Sequence, residues 1–186
     1  LVALDQLVKD NKVGHIGASS MYTWQFAKSL WTSNELDLQR FETMTNFYNL
    51  CYREEEREMI PFCKDQNISV LPYSPVAKGF LTGKYTRNEK NDTIRFKTDP
   101  RLAERFFKPE DFDVLEIVMQ ISNEKGVKPA QIALAWLLEK NTAPIIGVTK
   151  KSHVEDAVES LNIKLTSNDM KQLEEPYKMH PTTGYE

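Results

Sequence analysis

Cysteine, histidine and long apolar runs are scarce in this sequence. The two cysteines, Cys51 and Cys63, have neither metal-ligand spacing nor neighbouring histidines, which argues against a zinc site. We expect both to be reduced thiols on or near a helix. No apolar stretch approaches the ~18 residues needed to cross a bilayer, so the sequence predicts no membrane contact.

Excess positive charge is also absent. The formal net charge is −3, which offers no broad basic surface and argues against a nucleic-acid partner. Residues 1–13 mix apolar and charged side chains like an amphipathic helix and unlike a signal peptide, so we expect a cytoplasmic protein. The length of 186 residues suits one domain. Because Leu1 lies within a helical pattern, we expect the chain to be a piece of something longer.

Short buried strands alternate with helices along the chain. We predict strands at residues 13–16, 42–47, 68–71 and 144–146, and helices at residues 1–10, 21–31, 53–66, 112–125, 129–139 and 152–161, with a last helix capped by Ser167. Residues 86–111 are predicted to form a polar excursion loop, and the tail from Pro176 to be loose.

This alternation favours an α/β fold of parallel β/α units. Four units of about 45 residues make half of an eight-unit (β/α)₈ TIM barrel of ~250 residues. A three-layer open sheet is the competing architecture, and periodicity alone does not separate the two.

In parallel β/α folds, functional residues lie just past the carboxyl ends of the strands. Four such segments are predicted, at residues 17–20, 45–48, 73–75 and 147–151. Taken singly, Ser19 and Ser20 are typical of a helix cap, Tyr73 of packing, and Lys150 of a solvated surface. Their placement at the same end of successive strands favours a functional site.

The segment of residues 68–85 is the most distinctive. A short strand is followed by Tyr73 and then by a loop of small residues with Lys84 near its end. Such a loop can present backbone N–H groups, an aromatic face and a cation to a phosphate-bearing cofactor.

Four stretches resemble the aldo-keto reductase family. Residues 73–85 (YSPVAKGFLTGKY) resemble its YSPLA-x-G-x-LTGKY signature, residues 12–20 its K-x-R-x-IG-x-S, residues 46–56 its QN-x-Y-x-L…R-x-x-E, and residues 144–157 its P-I-x-G-A-x…LE-E-N. The chain resembles the C-terminal half of the family's barrel, in the branch of aryl-alcohol-dehydrogenase-like and potassium-channel β-subunit-like members.

The resemblance implies NADP(H)-dependent reduction of a small-molecule aldehyde or ketone to an alcohol. It assigns the nicotinamide end of the cofactor to Tyr73, Ser19, Ser20 and Thr45. The pyrophosphate is assigned to Ser74, Pro75, Val76, Ala77 and Lys84, with Arg95 folding over it. The adenosine 2′-phosphate is assigned to Gly147, Thr149, Lys150 and His153, and the adenine to Asp156.

Two residues depart from the family pattern. Thr45 replaces the usual Gln and Ala157 an Asn, and each change removes a hydrogen bond of about 1 kcal/mol. The resemblance places the catalytic Tyr, Lys, Asp and His in an N-terminal half that this sequence does not match, so we expect no catalytic residue here. Two alternatives stay open: an NADP(H)-binding regulatory subunit similar to potassium-channel β subunits, and a truncated non-catalytic half-barrel.

A half-barrel has an inner face that its own helices do not cover. We expect Ile16, Ile68, Val70 and Ile145 to lie on that face, and two strand edges to be unpaired. The isolated chain is therefore expected to need the N-terminal half as its partner, or to self-associate, aggregate or stay partly molten.

Overall fold

Three short parallel strands form the centre of the structure, a computed structural model that describes residues 1–87 and 93–183, with the side chains of residues 94 and 95 outside the described part. The strands are β1 (Gly17–Ser19), β2 (Thr43–Thr45) and β3 (Ser69–Val70), in the order β1-β2-β3. Beyond β3, Ile145 pairs in parallel with Tyr73 and adds a single bridge.

Helices account for most of the remaining described chain. They are α1 (Val2–Lys9), α2 (Thr23–Glu35), α3 (Met59–Asp65), α4 (Ile94–Thr98), α5 (Pro100–Arg105), α6 (Pro109–Lys125), α7 (Pro129–Glu139), α8 (Lys151–Ser160) and α9 (Ser167–Glu174). Two 3₁₀ segments, Glu54–Glu56 and Ala77–Thr82, precede α3 and follow β3. In the described residues no helix is long and apolar enough to span a membrane.

The two faces of the sheet differ in chemistry. Ala18, Met44 and Val70 are buried, in a cluster with α2 and α3. Side chains alternate between faces along a strand, so the opposite face carries small or polar residues that are exposed or half-buried. They are Gly17, Ser19, Thr43, Thr45 and Ser69.

The expected set of uncovered apolar residues is therefore wrong at three positions. Ile16, Ile68 and Val70 are buried in the helix-facing cluster. Ile145 is 47% exposed, as expected for an edge position. The uncovered face is hydrophilic, so it does not supply the wet apolar surface expected from the sequence.

The first strand begins later than predicted. Residues 13–16 form no strand, and β1 starts at Gly17, whose parallel partner is Thr43. A Cβ at Gly17 would collide with Thr43 Oγ1 and would otherwise meet only ordinary contacts at 3.5 Å or more, so a larger residue there would require the Thr43 side chain to rotate. The strand predicted at residues 144–146 is reduced to the Ile145 bridge, although Ala143 N donates to Val70 O at 3.1 Å and Ile145 N to Pro72 O at 2.7 Å. Pro72 has no N–H to donate back to this segment, which interrupts the ladder.

Three further predictions, of a helix, a loop and a helix cap, need correction. The helix predicted at residues 53–66 is a 3₁₀ segment followed by α3, and residues 86–111 contain α4 and α5 in addition to loop. The cap of α9 is Thr166, whose Oγ1 accepts from Asp169 N at 3.1 Å while the Asp169 carboxylate accepts from Thr166 N at 2.8 Å. This reciprocal capping box outcompetes Ser167.

The tail is not loose over its described part. Tyr177 Oη donates to Glu54 at 2.7 Å, and His180 N donates to the same carboxylate at 3.0 Å. Tyr52 Oη accepts from Thr183 N at 2.9 Å. Buried polar groups near the start of the 3₁₀ segment thus bind the tail and satisfy their own hydrogen-bonding needs.

Candidate functional site

The ends of β1, β2 and β3 converge as the sequence predicts. Ser20 N donates to Thr45 O at 3.0 Å, and Ser19 Oγ lies 3.4 Å from the same oxygen. Ser20 Oγ reaches Tyr73 Oη at 3.4 Å. Four of the predicted site residues therefore form one strand-end cluster of Ser19, Ser20, Thr45 and Tyr73.

Tyr73 is oriented by its neighbours. The Phe47 ring stacks on it with centroids 5.4 Å apart and an interplanar angle of 29°. Backbone pairing with Phe47 and Ile145 fixes the main chain on both sides. The ring is half-buried, so one face is covered while part of the side chain lines a cleft, an arrangement suited to stacking a planar ligand.

The loop after Tyr73 is tightly wound. Ser74, Ala77 and Lys78 have left-handed φ values of 55°, 49° and 55°, and Gly79 has φ of 95°. Ala77 N donates to Ser74 O at 2.9 Å. Ala77 is fully buried, as are Phe80 and Leu81, which anchor the loop in the core; Ala77 accordingly lines no described cleft.

The first cleft, of about 590 Å³, lies between this loop and the segment leading into α8. It brings together most of the residues predicted for the pyrophosphate and adenosine ends of a cofactor. They are Pro75, Val76, Lys84, Gly147, Thr149, Lys150, His153 and Asp156. Ala130 and Leu134 of α7 supply an apolar floor. The side chain of Arg95 lies outside the described residues.

The first cleft is rich in cations. Lys84 and Lys150 are exposed within it, and Lys78 at its side binds Asp99 at 2.7 Å. Lys150 also occupies the position immediately before α8, whose first N–H groups favour an anion at the same place. A ligand carrying phosphate groups fits this charge distribution.

Besides Lys78, two acidic or imidazole side chains of the first cleft, Asp156 and His153, also have partners. Asp156 binds Lys128 at 2.5 Å, and this hydrogen bond raises the pKa of Lys128 above its usual range. His153 Nδ1 accepts from Thr149 N at 3.4 Å. Asp156 must share its carboxylate with Lys128 to bind an adenine amino group.

A second cleft, of about 680 Å³, was missed by sequence reasoning. It is lined by Tyr52, Tyr73, Ser74 and Lys78, by α5 and its neighbour Lys108, and by the tail segment of residues 180–183. Burial raises the pKa of Tyr52 to about 12, so its hydroxyl keeps its proton at neutral pH. Lys78 lines both clefts. Tyr73 and Ser74 line the second cleft and directly precede Pro75 of the first, so the two clefts adjoin each other.

Cys63 lies in α3, as expected, and Cys51 lies in a turn before the first 3₁₀ segment. Cys51 and Cys63 are free and fully buried, and burial raises the pKa of Cys63 to about 12. Among the described residues, no group of three His, Cys, Asp or Glu side chains is placed to hold a metal ion.

The fold and the clefts define a parallel α/β protein with two clefts at the carboxyl ends of its strands. A family model for the aldo/keto reductases matches residues 1–178, and the chain belongs to that family.

Individual relatives agree with this assignment. The chain is 40% identical over 182 residues to a Schizosaccharomyces pombe protein whose name assigns it provisionally to the aryl-alcohol dehydrogenases, covering 98% of this chain and 55% of that protein. It is 37% identical over 186 residues to versiconal hemiacetal acetate reductase of Aspergillus parasiticus, covering 96% and 53%. A third relative, an aldo-keto reductase of Alternaria alternata, is 34% identical, with coverage of 98% and 49%. The chain spans about half the length of these curated relatives.

Proposed function

We propose that this chain is the cofactor-binding, C-terminal half of a (β/α)₈ barrel in an NADP(H)-dependent reductase of aldehydes and ketones. The observation that carries the proposal is the first cleft, which joins Lys84 of one strand-end loop to Lys150 of another. Family membership and relatives named as reductases support the reaction class.

The residues of the site fit the parts of the cofactor in order. Tyr73 stacks on the nicotinamide ring, with Ser19 and Ser20 near its carboxamide. Lys84 neutralises the pyrophosphate. Lys150 binds the 2′-phosphate by Coulomb attraction and a charge-assisted hydrogen bond, and His153, whose Nδ1 accepts from Thr149 N, donates to it from Nε2. NADPH, when bound, supplies the hydride, and Tyr73 determines which ring face is exposed to the substrate.

A reductase of this class also needs a proton donor. Tyr52, the other described tyrosine in the second cleft, hydrogen-bonds to the backbone of Thr183 and has a raised pKa, so we assign no proton donor among the residues that the structure describes. We expect the isolated chain not to reduce 4-nitrobenzaldehyde with NADPH. Turnover that disappears in a Lys84→Ala variant would contradict this assignment.

The 2′-phosphate assignment is tested with two neighbouring lysines. Lys150→Ala should weaken NADP⁺ by about 1–2 kcal/mol and leave NAD⁺ almost unchanged, because only NADP⁺ carries the extra phosphate. Lys151 is the matched control: its side chain is 91% exposed, binds Glu155 at 3.3 Å and lies outside the cleft. Fluorescence titrations of both variants with NADP⁺ and with NAD⁺ measure these changes in affinity. Equal losses for NADP⁺ and NAD⁺, or an equal effect of Lys151→Ala, would remove the assignment.

The sheet edges suggest how the chain completes its fold. In the described residues β1 pairs only with β2, and the Ile145 segment pairs only with the β3 side. We propose that these two edges receive the strands of the N-terminal half-barrel or, in its absence, a second copy of this chain. Light scattering of the isolated chain should show concentration-dependent association, and a monomer at all concentrations would contradict this.

A further inference from the structure

The second cleft concentrates positive charge in a chain whose net charge is −3. Among the described residues its lining contains the cations Lys78, Arg101, Arg105 and Lys108 and one carboxylate, Glu104; Lys78 is paired with Asp99 at 2.7 Å. Within a concave site these charges reinforce one another, because less water lies between them and a bound ligand. The cleft is therefore suited to an anionic group.

Two of the cations share one face of α5. Arg101 and Arg105 are four residues apart, a spacing that places side chains next to each other on a helix. The Arg105 guanidinium lies 5.0 Å from the centre of the Phe47 ring, which limits its freedom of movement. Arginine pairs bind carboxylates well because each guanidinium offers two parallel N–H donors.

Lys108 is positioned by a buried relay. Its ammonium lies 3.2 Å from His180 Nδ1, and His180 Nε2 lies 3.1 Å from Asp111 Oδ1. An ammonium can only donate, so Nδ1 accepts and the ring proton sits on Nε2, where it is donated to Asp111. The His180 and Asp111 side chains are only 4% and 2% exposed. This cation is held in place before any ligand arrives.

Tyr73 connects the second cleft to the proposed chemistry. Its side chain lines the cleft and also belongs to the strand-end cluster, where the nicotinamide ring is proposed to stack. A molecule in the second cleft would lie beside the position from which hydride leaves. We propose that the second cleft is the substrate subsite and that it selects aldehydes or ketones carrying a carboxylate group; this rests on the proposed function.

The same anion chemistry has another source, the phosphates of the cofactor itself, since Lys78 lines both clefts. The probes are therefore 4-(hydroxymethyl)benzoate, the alcohol product of such a reduction, and the neutral 4-(hydroxymethyl)benzamide of similar shape. Neither forms an imine with lysine. Calorimetric titration of the chain with each probe, with and without saturating NADP⁺, separates the two sources.

The benzoate should bind at least about tenfold more tightly than the benzamide, and added salt should reduce the difference. Arg101→Gln and Arg105→Gln should each weaken the benzoate about tenfold and leave the benzamide unchanged. Glu104→Gln, on the same helix, should strengthen the benzoate about twofold, because it removes the one acid of the lining. Lys164→Gln, an exposed change outside the cleft, is the control for net charge.

Equal binding of both probes, or full retention of the benzoate preference in Arg101→Gln, would overturn the proposal. Arg101 is exposed, so its replacement does not threaten folding. Competition between NADP⁺ and the benzoate would assign the site to cofactor phosphate and overturn the substrate assignment. A benzoate preference in a chain that fails to bind NADP⁺ would support the anion subsite and contradict the proposed cofactor.

Discussion

The two walls of the first cleft are built in opposite ways. In the loop of residues 74–84, Ala77, Phe80 and Leu81 are fully buried. In the segment of residues 145–150, every residue is exposed, Ile145 at 47% and Val148 at 46%. Core packing fixes the position of the first wall, residues 74–84. The position of the second wall, residues 145–150, is fixed by the Ile145 bridge and by the start of α8. We infer that bound ligand orders the second wall far more than the first.

The largest difference in stability between the two walls is expected at Phe80. Its ring lies 5.2 Å from the ring centres of Phe107 and Phe112 and is fully buried. Phe80→Ala should lower the free energy of unfolding by about 3–5 kcal/mol, the usual cost of a large aromatic cavity. Val148→Ala in the other wall should change it by less than ~0.5 kcal/mol. Urea unfolding followed by circular dichroism measures both, and similar losses would contradict the comparison.

A smaller effect is expected from one glycine in each wall. Gly79 has φ of 95° and no atom within 4 Å of an added Cβ, so Gly79→Ala should cost about 1–2 kcal/mol through backbone strain alone. An added Cβ at Gly147 also meets nothing within 4 Å, and Gly147 lies outside the left-handed region. Gly147→Ala should therefore leave the unfolding free energy unchanged or slightly higher. The urea midpoints of Gly79→Ala and Gly147→Ala measure both effects. An equal loss of unfolding free energy in the two variants would show that the backbone conformation at Gly79 does not require glycine.

The stability of α7, which forms the floor of the first cleft, should decrease at acidic pH. Glu174 accepts from Trp136 Nε1 at 3.0 Å and from Lys140 at 2.7 Å, which holds α7 in place. Burial opposes its ionisation, but these contacts prevail and lower the pKa of Glu174 below its ordinary value of 4.5. The contribution is thus complete above pH 4.5 and is lost as pH falls through the lower, folded pKa.

Glu174→Gln should cost about 1 kcal/mol at pH 7 and reduce the loss of stability on acidification. Urea midpoints between pH 7 and pH 3 measure this. Wild-type and variant curves that run parallel over that range would show that Glu174 makes no pH-dependent contribution.

The difference between the walls also explains what could be predicted from sequence. The first wall lies in a continuous stretch, where Tyr73, the small residues and Lys84 occur together, and the structure brings Pro75, Val76 and Lys84 of this stretch to the first cleft. The strand ends follow from alternation of strand and helix, a local pattern. The start of β1 at Gly17 cannot be predicted from this pattern, because it depends on the pairing of Gly17 with Thr43 of the neighbouring strand.

The second cleft shows the limit of local pattern most clearly. Arg101 and Arg105 lie in a polar segment without an apolar period, although their spacing after Pro100 is a weak helix signal. His180 reaches the cleft through contacts with Glu54 and Asp111, at sequence separations of 126 and 69 residues. Sequence spacing carries no information about such contacts.

The attachment of the tail has a consequence for the order of folding. The hydrogen bonds between Tyr52 and Thr183 close a loop of 131 residues. The entropy of closing so long a loop must be offset before these contacts contribute, so we expect them to form after the aromatic core. We also expect the tail to detach more readily than that core unfolds, which hydrogen exchange of the His180 and Thr183 amides would measure. On that expectation, the tail side of the second cleft opens before the rest of the molecule.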